Sequence, residues 1–446
     1  MGVGDRENTG LARLLGESRW TYRQFAMAVN RLGTETGTPV KYDESSVHHW
    51  LAGTLPRKTV RPLVLEALAR KLARPVTHAE AGFPAPEGKT TAPADTVEGL
   101  LDLGRLDMDP SRRGVLGAGL FSVALTIPGW QDVVGRAEAV QKGRAARIGR
   151  PEVDMVIAMT ERVSSLDDQF GGRHARPMAA AFAVNTVAAY LRADAPDDVR
   201  KGMLSAASDL CYLTGYMAVD EGYHGLAQQY YVKALELAGQ AGDHLTYCTT
   251  LRGMSVQAVD LGYGPRASRL ADAAAAASPQ AGPRMRAFLA GQQAHSAAQS
   301  GHRAEALRYI GEAEIAMEKA ESQEKAFGSY DPSSLQYHVS QVQYGLGDVR
   351  GSIKSMQEAE ALRYSVYRRA RVRQQSYLAE RQLEIGHLEA ACATWHRVLD
   401  DYPLVQSQRC DQRVEIMRGL IRPHLKNAKA RELYDRAMTI RRPVAV

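Results

Sequence analysis

The sequence predicts an all-α protein in which a small N-terminal domain of short helices precedes an α-solenoid of helical hairpins. Two observations predict this fold. Apolar residues between positions 9 and 83 recur at helical spacing in four short segments, and from about residue 150 onward a pattern of small and large residues repeats. The expected organisation is a helical domain at 1–83, a linker at 84–110, linker helices at 111–150 that pack on the solenoid, and a repeat domain at 151–446.

Each of the four N-terminal helices carries an apolar stripe. The stripes are Leu11, Leu14 and Leu15; Phe25, Ala28, Val29 and Leu32; Val47, Trp50 and Leu51; and Leu63, Val64, Leu68 and Leu72. Asp43 is a suitable N-cap for the third helix and Gly53 can end it. Pro62 fits only the first turn of the fourth helix.

Charge and exposed polar residues both point to nucleic acid as a partner of this domain. Residues 1–83 contain 12 Lys and Arg against 8 Asp and Glu, so they carry a net +4 of the chain's +6. Short polar side chains on the third helix could reach base edges, and the residues around it could meet phosphates. The candidate DNA contacts are Glu44, Ser45, Ser46, His48 and His49 on the helix, with Thr21, Arg23, Lys41, Arg57 and Lys58 around it.

The segment Tyr42–Gly53 resembles the recognition helix of the Cro/C1-type (XRE) helix-turn-helix family, through Ser46-Val47, Trp50 and Gly53. Thr21–Val29 is similar to the second helix of that family. The resemblance implies binding to double-stranded DNA through the third helix. Asn30–Lys41 is longer than the usual turn of about four residues, so either the second helix extends or the connection is a loop.

Two other interpretations of the N-terminal domain, protein docking and metal binding, are compatible with the same apolar core. The domain could dock a protein instead of DNA, with Val47 and Trp50 serving only to fold it. The adjacent His48 and His49 raise the question of a metal site, but no cysteine or third histidine stands at ligand spacing. We therefore expect no metal.

The repeats are marked by a small residue followed by a large or apolar residue four positions later and another small or apolar residue seven positions later. The sets, which we call anchors, are Ala227/Tyr231/Ala234, Ala267/Ala271/Ala274, Ala306/Ile310/Ala313, Ser352/Met356/Ala359, Ala391/Trp395/Val398 and Ala430/Tyr434/Ala437. Their first members are 40, 39, 46, 39 and 39 residues apart. The set Gly215, Ala227, Tyr231 and Ala234 matches the tetratricopeptide pattern best, but the usual repeat is about 34 residues, so the hairpins are tetratricopeptide-like. Val153–Arg192 and Arg431–Val446 are expected to cap the two ends.

The first helix of each hairpin is expected to line the inner surface of the solenoid. Side chains there that suit an extended peptide are Tyr212, Tyr216, Arg252, His295, Tyr337, Gln341, Tyr344 and Arg373. The alternative is that many of them only pack neighbouring repeats together.

The architecture is similar to that of streptomycete regulators of antibiotic production and development, and to peptide-sensing quorum regulators. This resemblance implies a homodimer that binds DNA and senses a peptide or protein effector, with control of secondary metabolism or development. The alternative is a tetratricopeptide-type interaction scaffold with no DNA-binding role.

Other classes of protein are disfavoured. No catalytic motif indicates an enzyme and no cofactor is implied. The apolar run Ser111–Pro128 is internal and too short to span a membrane, so it is expected to be a buried helix. The four dispersed cysteines indicate buried, reduced thiols in a cytoplasmic protein.

Overall fold

The computed structural model describes residues 8–35, 39–72, 76–84, 95–108, 147–277, 281–320 and 330–440. Every regular element within those residues is helical, and the one pairing of extended backbone there is an isolated bridge between Arg147 and Asp194. The predicted all-α fold is therefore confirmed. The predicted buried helix at Ser111–Pro128, and most of the segment 111–150, lie outside the described residues.

Four helices build the N-terminal domain around one apolar core. They are α1 (Thr9–Ser18), α2 (Tyr22–Glu35), α3 (Glu44–Leu51) and α4 (Arg61–Leu72). Phe25, Val29, Val47, Val64 and Leu68 are all fully or almost fully buried, as their spacing predicts. Pro62 lies in the first turn of α4, as expected. The core also includes Ala81 and Phe83, which follow α4, so the domain extends at least to residue 83.

The described chain divides into two compact units. The first takes in the described part of Met1–Gly149 together with Ala180–Gln240, and the second takes in Arg150–Ala179 with the described part of Ala241–Val446. The helices that follow the N-terminal domain are α5 (Thr96–Met108), α6 (Arg150–Phe170), α7 (Gly172–Phe182), a π-helical turn (Ala183–Val187), α8 (Ala188–Leu191), α9 (Asp197–Asp220) and α10 (His224–Ala241).

Helix α5 lies within the segment predicted to be a linker, and it packs inside the first unit. The hydroxyl of Tyr230 donates a hydrogen bond of 3.0 Å to the buried carboxylate of Asp107. Gly104 allows the close approach, because a Cβ there would lie 2.3 Å from Val184 Cγ2 in the π-helical turn. The segment 84–110 therefore contains a packed helix.

The remaining helices form hairpins in the second unit. They are α11 (His244–Asp260), α12 (Gly264–Ala277), α13 (Pro283–Gln299), α14 (Arg303–Glu318), α15 (Pro332–Gly345), α16 (Val349–Ala361), α17 (Arg368–Glu384), α18 (Leu388–Asp401), α19 (Gln408–Ile421) and α20 (Ala428–Thr439). Each odd-numbered helix packs antiparallel on the next, and α13 also packs on α11 and α15. Consecutive hairpins therefore pack in series, as the repeat predicts.

The anchors lie near the start of the second helix of each hairpin. All of them are buried except Tyr434, which is partly exposed at the last hairpin. Small side chains let the two helices approach closely. In the first unit, a Cβ on Gly215 of α9 would lie 2.9 Å from the ring of Tyr231 on α10. The predicted role of the anchors in helix packing is confirmed.

A glycine with positive φ stands five residues before each of the first five anchors. These turn glycines are Gly222, Gly262, Gly301, Gly347 and Gly386, with φ between 77° and 88°. In each hairpin the residue after the glycine donates its N–H to a carbonyl five residues earlier, for example His302 to Ala297 at 2.9 Å. This is the Schellman motif that ends a helix through a left-handed residue. The sequence analysis missed this repeated feature.

Helices α6 and α7 were expected to cap one end of the repeats. Instead, α6 packs on α17, the first helix of a hairpin far along the chain. Arg369 on α17 pairs with Asp167 and Asp168 of α6 at 2.7 and 3.0 Å. Nearby, the N–H of Gln406 donates to the carbonyl of Phe170. Two long-range ion pairs and a backbone hydrogen bond therefore accompany the packing of this segment.

The fold bears on two further expectations, which concern the cysteine thiols and membrane-spanning helices. The four cysteines are free and buried, as predicted. Burial raises the pKa of Cys211 and of Cys248 to about 12, so neither thiol ionises at neutral pH. Among the helices that the structure describes, none combines the length and apolar composition needed to cross a bilayer.

The turn glycines generate a stability prediction with an internal control. We expect Gly301→Ala to lower the free energy of unfolding by about 1 kcal/mol, because alanine is strained at φ 77° although no atom stands in its way. Gly311→Ala, in the interior of α14 with equally open surroundings, should raise it by about 0.5–1 kcal/mol. Urea unfolding followed by circular dichroism measures both. Changes of the same sign would contradict the role of the left-handed turn.

Candidate functional site

Helix α3 begins with a reciprocal cap. The carboxylate of Asp43 accepts from the N–H of Ser46 at 2.9 Å and from its hydroxyl at 2.8 Å, and the Asp43 N–H faces the same hydroxyl at 3.5 Å. These hydrogen bonds, to the backbone N–H first, lower the pKa of Asp43. The predicted N-cap is confirmed, and the Ser46 hydroxyl is used in holding it.

One side of α3 is held in the core. Val47 is fully buried and Trp50 is 5% exposed. The Trp50 ring meets the rings of Tyr42 and Phe25 edge to face, with centroids 4.9 and 6.3 Å apart. The helix ends at Leu51, and Gly53 follows with a φ of 105°, as the sequence predicts.

Asn30 of α2 holds the segment that leads into α3. Its amide donates to the carbonyl of Tyr42 and accepts from the N–H of Tyr42, both at 2.8 Å. Helix α2 extends to Glu35, so the long connection consists partly of extended helix. The sequence analysis missed this clamp because one asparagine at the boundary of a polar stretch has no distinctive spacing.

The predicted DNA-contact residues all lie in the N-terminal domain, and most are exposed. The exposed set is Thr21, Arg23, Lys41, Glu44, Ser45, His48, His49, Arg57 and Lys58, while Ser46 is partly exposed. The hydroxyl of Thr21 accepts from the N–H of Gln24 at 3.2 Å, so it caps α2. The hydroxyls of Ser46 and Thr21 therefore stabilise the starts of their helices whether or not a ligand is bound.

The open side of α3 thus carries Glu44, Ser45, His48 and His49. The rings of His48 and His49 lie at right angles with centroids 6.4 Å apart. Within the described ranges, no three residues of the types His, Cys, Asp and Glu come together as a metal site would require.

The eight candidate residues of the repeat surface fall in both compact units. Tyr212 and Tyr216 belong to the first unit, on α9. Tyr212 is only 6% exposed and its ring packs 6.1 Å from that of Tyr231. Tyr212 therefore packs its own hairpin together, which is the alternative that the sequence left open.

The other six candidates lie on the first helices of hairpins in the second unit, and several of them contact neighbouring side chains. The guanidinium of Arg252 lies 4.1 Å from the ring centroid of Phe288, and the amide of Gln341 donates to the hydroxyl of Tyr337 at 2.7 Å. The hydroxyl of Tyr344 donates to Glu384 at 3.0 Å. We call these six residues the first-helix surface: Arg252, His295, Tyr337, Gln341, Tyr344 and Arg373.

The sequence analysis missed the residue at the centre of the first-helix surface. Arg381 is 3% exposed, donates to Ser340 Oγ at 2.6 Å and to Gln341 Oε1, and lies 4.3 Å from the ring centroid of Tyr344. The only available signal was that Arg381 lies four residues after Tyr377, so the two side chains are neighbours on α17.

Burial shapes the chemistry of the histidines on this surface. The pKa of His295 is lowered to about 4, first by burial and then by Arg252, Arg381 and Arg373, against the opposing effect of Asp260. Burial also holds the pKa of His338 well below its usual value. His338 Nδ1 is hydrogen-bonded to the Tyr330 hydroxyl at 2.9 Å. Both rings are therefore neutral at physiological pH.

The N-terminal domain is similar to a known protein family. Residues 11–84 match the family model of the SP15 N-terminal domain, and they coincide with the extent of the N-terminal core. No curated protein matches the chain.

The Asn30 clamp generates a prediction about α3. We expect Asn30→Ala to lower the unfolding free energy of the N-terminal domain by about 1–3 kcal/mol, because both backbone groups of Tyr42 lose their partner. Chemical unfolding followed by tryptophan fluorescence measures it. Thr34→Ala, four residues on in the same helix, loses only a 3.3 Å bond and is the control. Equal effects of the two changes would exclude a special role for Asn30.

His295 generates a pH prediction for the repeats. Its pKa is lower in the folded than in the unfolded protein, so the unfolded state binds more protons and stability falls as pH drops below about 6.5. Between pH 7 and pH 5 this histidine should lower the free energy of unfolding by up to about 2 kcal/mol. His295→Gln should remove that part of the pH dependence of stability. Unfolding midpoints of both proteins across this range test it. Parallel pH profiles would contradict the assignment.

Proposed function

We propose that the chain is a DNA-binding transcription regulator whose third helix enters the major groove. The observation that carries the proposal is the two-sided character of α3: Val47 and Trp50 fix one side in the core, and Ser45, His48 and His49 are exposed on the other. A short helix held in this way can present its polar side to base edges, which is how helix-turn-helix proteins read DNA.

Charge supports the same function. The basic residues predicted to flank α3, Arg23, Lys41, Arg57 and Lys58, are all exposed, and the domain carries most of the net positive charge of the chain. Basic residues around a reading helix position a protein on the phosphate backbone, and they make affinity depend on salt. The similarity of the helix to the Cro/C1-type (XRE) family adds to this support.

The proposed role of the repeats is dimerisation and effector binding in the cytoplasm. One recognition helix binds DNA weakly, whereas two joined in a homodimer can use half-sites about one helical turn apart. A peptide or protein effector on the repeats would then shift the balance between DNA-competent and incompetent arrangements. The regulated processes we propose are secondary metabolism or development, by the similarity in architecture to streptomycete regulators.

The alternative function is a protein-interaction scaffold of the tetratricopeptide type. Two large apolar side chains on α2 favour it: Tyr22 is 42% and Met27 61% exposed. Such side chains suit a protein partner better than DNA. DNA binding itself decides between the two functions.

The test begins with genome-wide capture of the DNA sites that the full-length protein occupies in its native host. Binding to a captured site is then measured by fluorescence anisotropy at several salt concentrations. Arg57→Ala with Lys58→Ala should weaken binding to every duplex and reduce the slope of log affinity against log salt by about 0.9 per lost phosphate contact. His49→Ala should weaken the captured site about tenfold and a scrambled site little, if it meets a base.

The matched control removes two exposed arginines outside the N-terminal domain, Arg105→Ala with Arg350→Ala, and should leave both readouts unchanged. Paired half-sites about 34–36 Å apart in the captured sequences would support the dimer. Capture of no specific site, with an unchanged salt slope in the Arg57 and Lys58 variant, would favour the scaffold instead.

A further inference from the structure

We propose that two copies of this chain associate through the outer face of α14, the side of that helix opposite its buried anchor, with the two helices antiparallel and crossing near Gly311. This inference rests on the proposed function in that it takes up the dimer proposed there. It adds the surface through which the copies meet and the side chains that fix their orientation.

The outer face of α14 exposes large apolar side chains at helical spacing. Leu307 is 49% and Ile315 is 54% exposed, and Gly311 stands midway between them. Residues four apart are neighbours on a helix, so the three form one stripe, on the side away from the buried Ala306 and Ala313. Among the second helices of hairpins that the structure describes, α14 alone exposes two large apolar side chains in this way.

Gly311 has no packing role among the described residues of its own chain. It lies in the interior of α14, where glycine is less favourable than alanine, and a Cβ there would have no atom within 4 Å. Gly215 and Gly104, which also lie inside helices, differ because a Cβ on either would meet a neighbouring side chain. The open space beside Gly311 therefore suits the close approach of a helix from outside the chain.

The charges of α14 are ordered against its own helix dipole. Arg303 begins the helix and Arg308 follows, whereas Glu314 and Glu318 lie in its second half, and all four are exposed. A helix favours acidic residues at its start and basic residues at its end, so this order weakens the isolated helix, with Glu305 as the exception in the first turn. Burial and then the like charge of Glu318 raise the pKa of Glu314.

This order of charges is complementary to a second copy of the same helix. In an antiparallel pair that crosses at Gly311, residues at similar distances on opposite sides of the crossing come together, and two-fold symmetry repeats each contact. Arg303 of one copy, eight residues before the crossing, then lies beside Glu318 of the other copy, seven residues after it. Leu307 lies level with Ile315 of the other copy. The unfavourable features of the single helix thus become favourable in the pair.

The size of this interface sets the affinity that we expect. A single pair of crossing helices buries less than the roughly 1,600 Å² of a standard protein interface, so the dimer should form at micromolar rather than nanomolar concentration. Two DNA-binding domains joined in this way still gain affinity when both meet half-sites of one DNA molecule. A weak dimer is therefore sufficient for the proposed function.

The experiment measures self-association of the full-length protein without DNA, by sedimentation velocity from about 0.1 to 100 μM. Leu307→Gln with Ile315→Gln should weaken association about tenfold or more, because the apolar contact is lost. The matched control, Leu245→Gln with Leu362→Gln, changes two leucines of similar exposure elsewhere in the second unit and should have no effect. Gly311→Gln should also weaken association by blocking the close approach, yet it should not lower the thermal unfolding midpoint, because its surroundings are open.

Charge reversal and cross-linking test the antiparallel arrangement. Arg303→Glu alone or Glu318→Arg alone should weaken association about threefold or more by opposing like charges, although each change suits the dipole of the single helix. Both changes in one chain should restore association. A mixture of Leu307→Cys and Ile315→Cys proteins should form disulfide-linked dimers faster than either protein alone, and the four native cysteines are buried and should not interfere.

A protein that stays monomeric at every concentration would overturn the proposal, since its own chain or a different protein would then cover α14. Equal effects of the α14 variants and the leucine control, or no recovery in the doubly reversed variant, would also overturn it. DNA binding of the same proteins is measured in parallel. If the protein binds paired half-sites but the α14 variants associate normally, only this inference falls. If specific DNA binding is absent while the α14 variants behave as expected, the regulator function falls and the α14 interface stands.

Discussion

The close approach of two helices in each hairpin is the constraint on which the repeat domain depends. A small buried side chain such as Ala267 or Ala306 permits it, and a left-handed glycine five residues earlier turns the chain back sharply enough to achieve it. Because the same turn recurs, successive first helices adopt similar positions. That regularity brings side chains from α11, α13, α15 and α17 together around His295, although they are far apart in sequence.

The N-terminal domain depends on a comparable constraint in a smaller space. Trp50 can bury its ring only if the segment before α3 is fixed, and Asn30 fixes it through both backbone groups of Tyr42. The exposed side of α3 follows from that burial: once Val47 and Trp50 point inward, His48 and His49 must point outward. The residues proposed to meet DNA are thus positioned by residues that never touch it.

Local periodicity predicts most of the helices but few of their long-range contacts. The sequence correctly predicts the apolar stripe of α2, the cap at Asp43 and the anchors of the hairpins. Each of these depends on spacing within one helix or one turn. The packing of α6 on α17 is not predictable in this way, since it joins residues as far apart in sequence as Asp167 and Arg369, which no local pattern marks. Arg381 was missed for the same reason, and the sequence left two roles open for Tyr212 because its burial involves Tyr231 in another helix.

The chemistry of the first-helix surface follows from which of its groups can lose or gain a proton. Burial and three neighbouring arginines hold the pKa of His295 at about 4, so the ring adds no charge between pH 5 and pH 8. The positive charge there belongs to guanidinium groups, which remain protonated throughout that range. The net charge of this surface is therefore set by its guanidinium and carboxylate groups and does not depend on the protonation of His295 across that range.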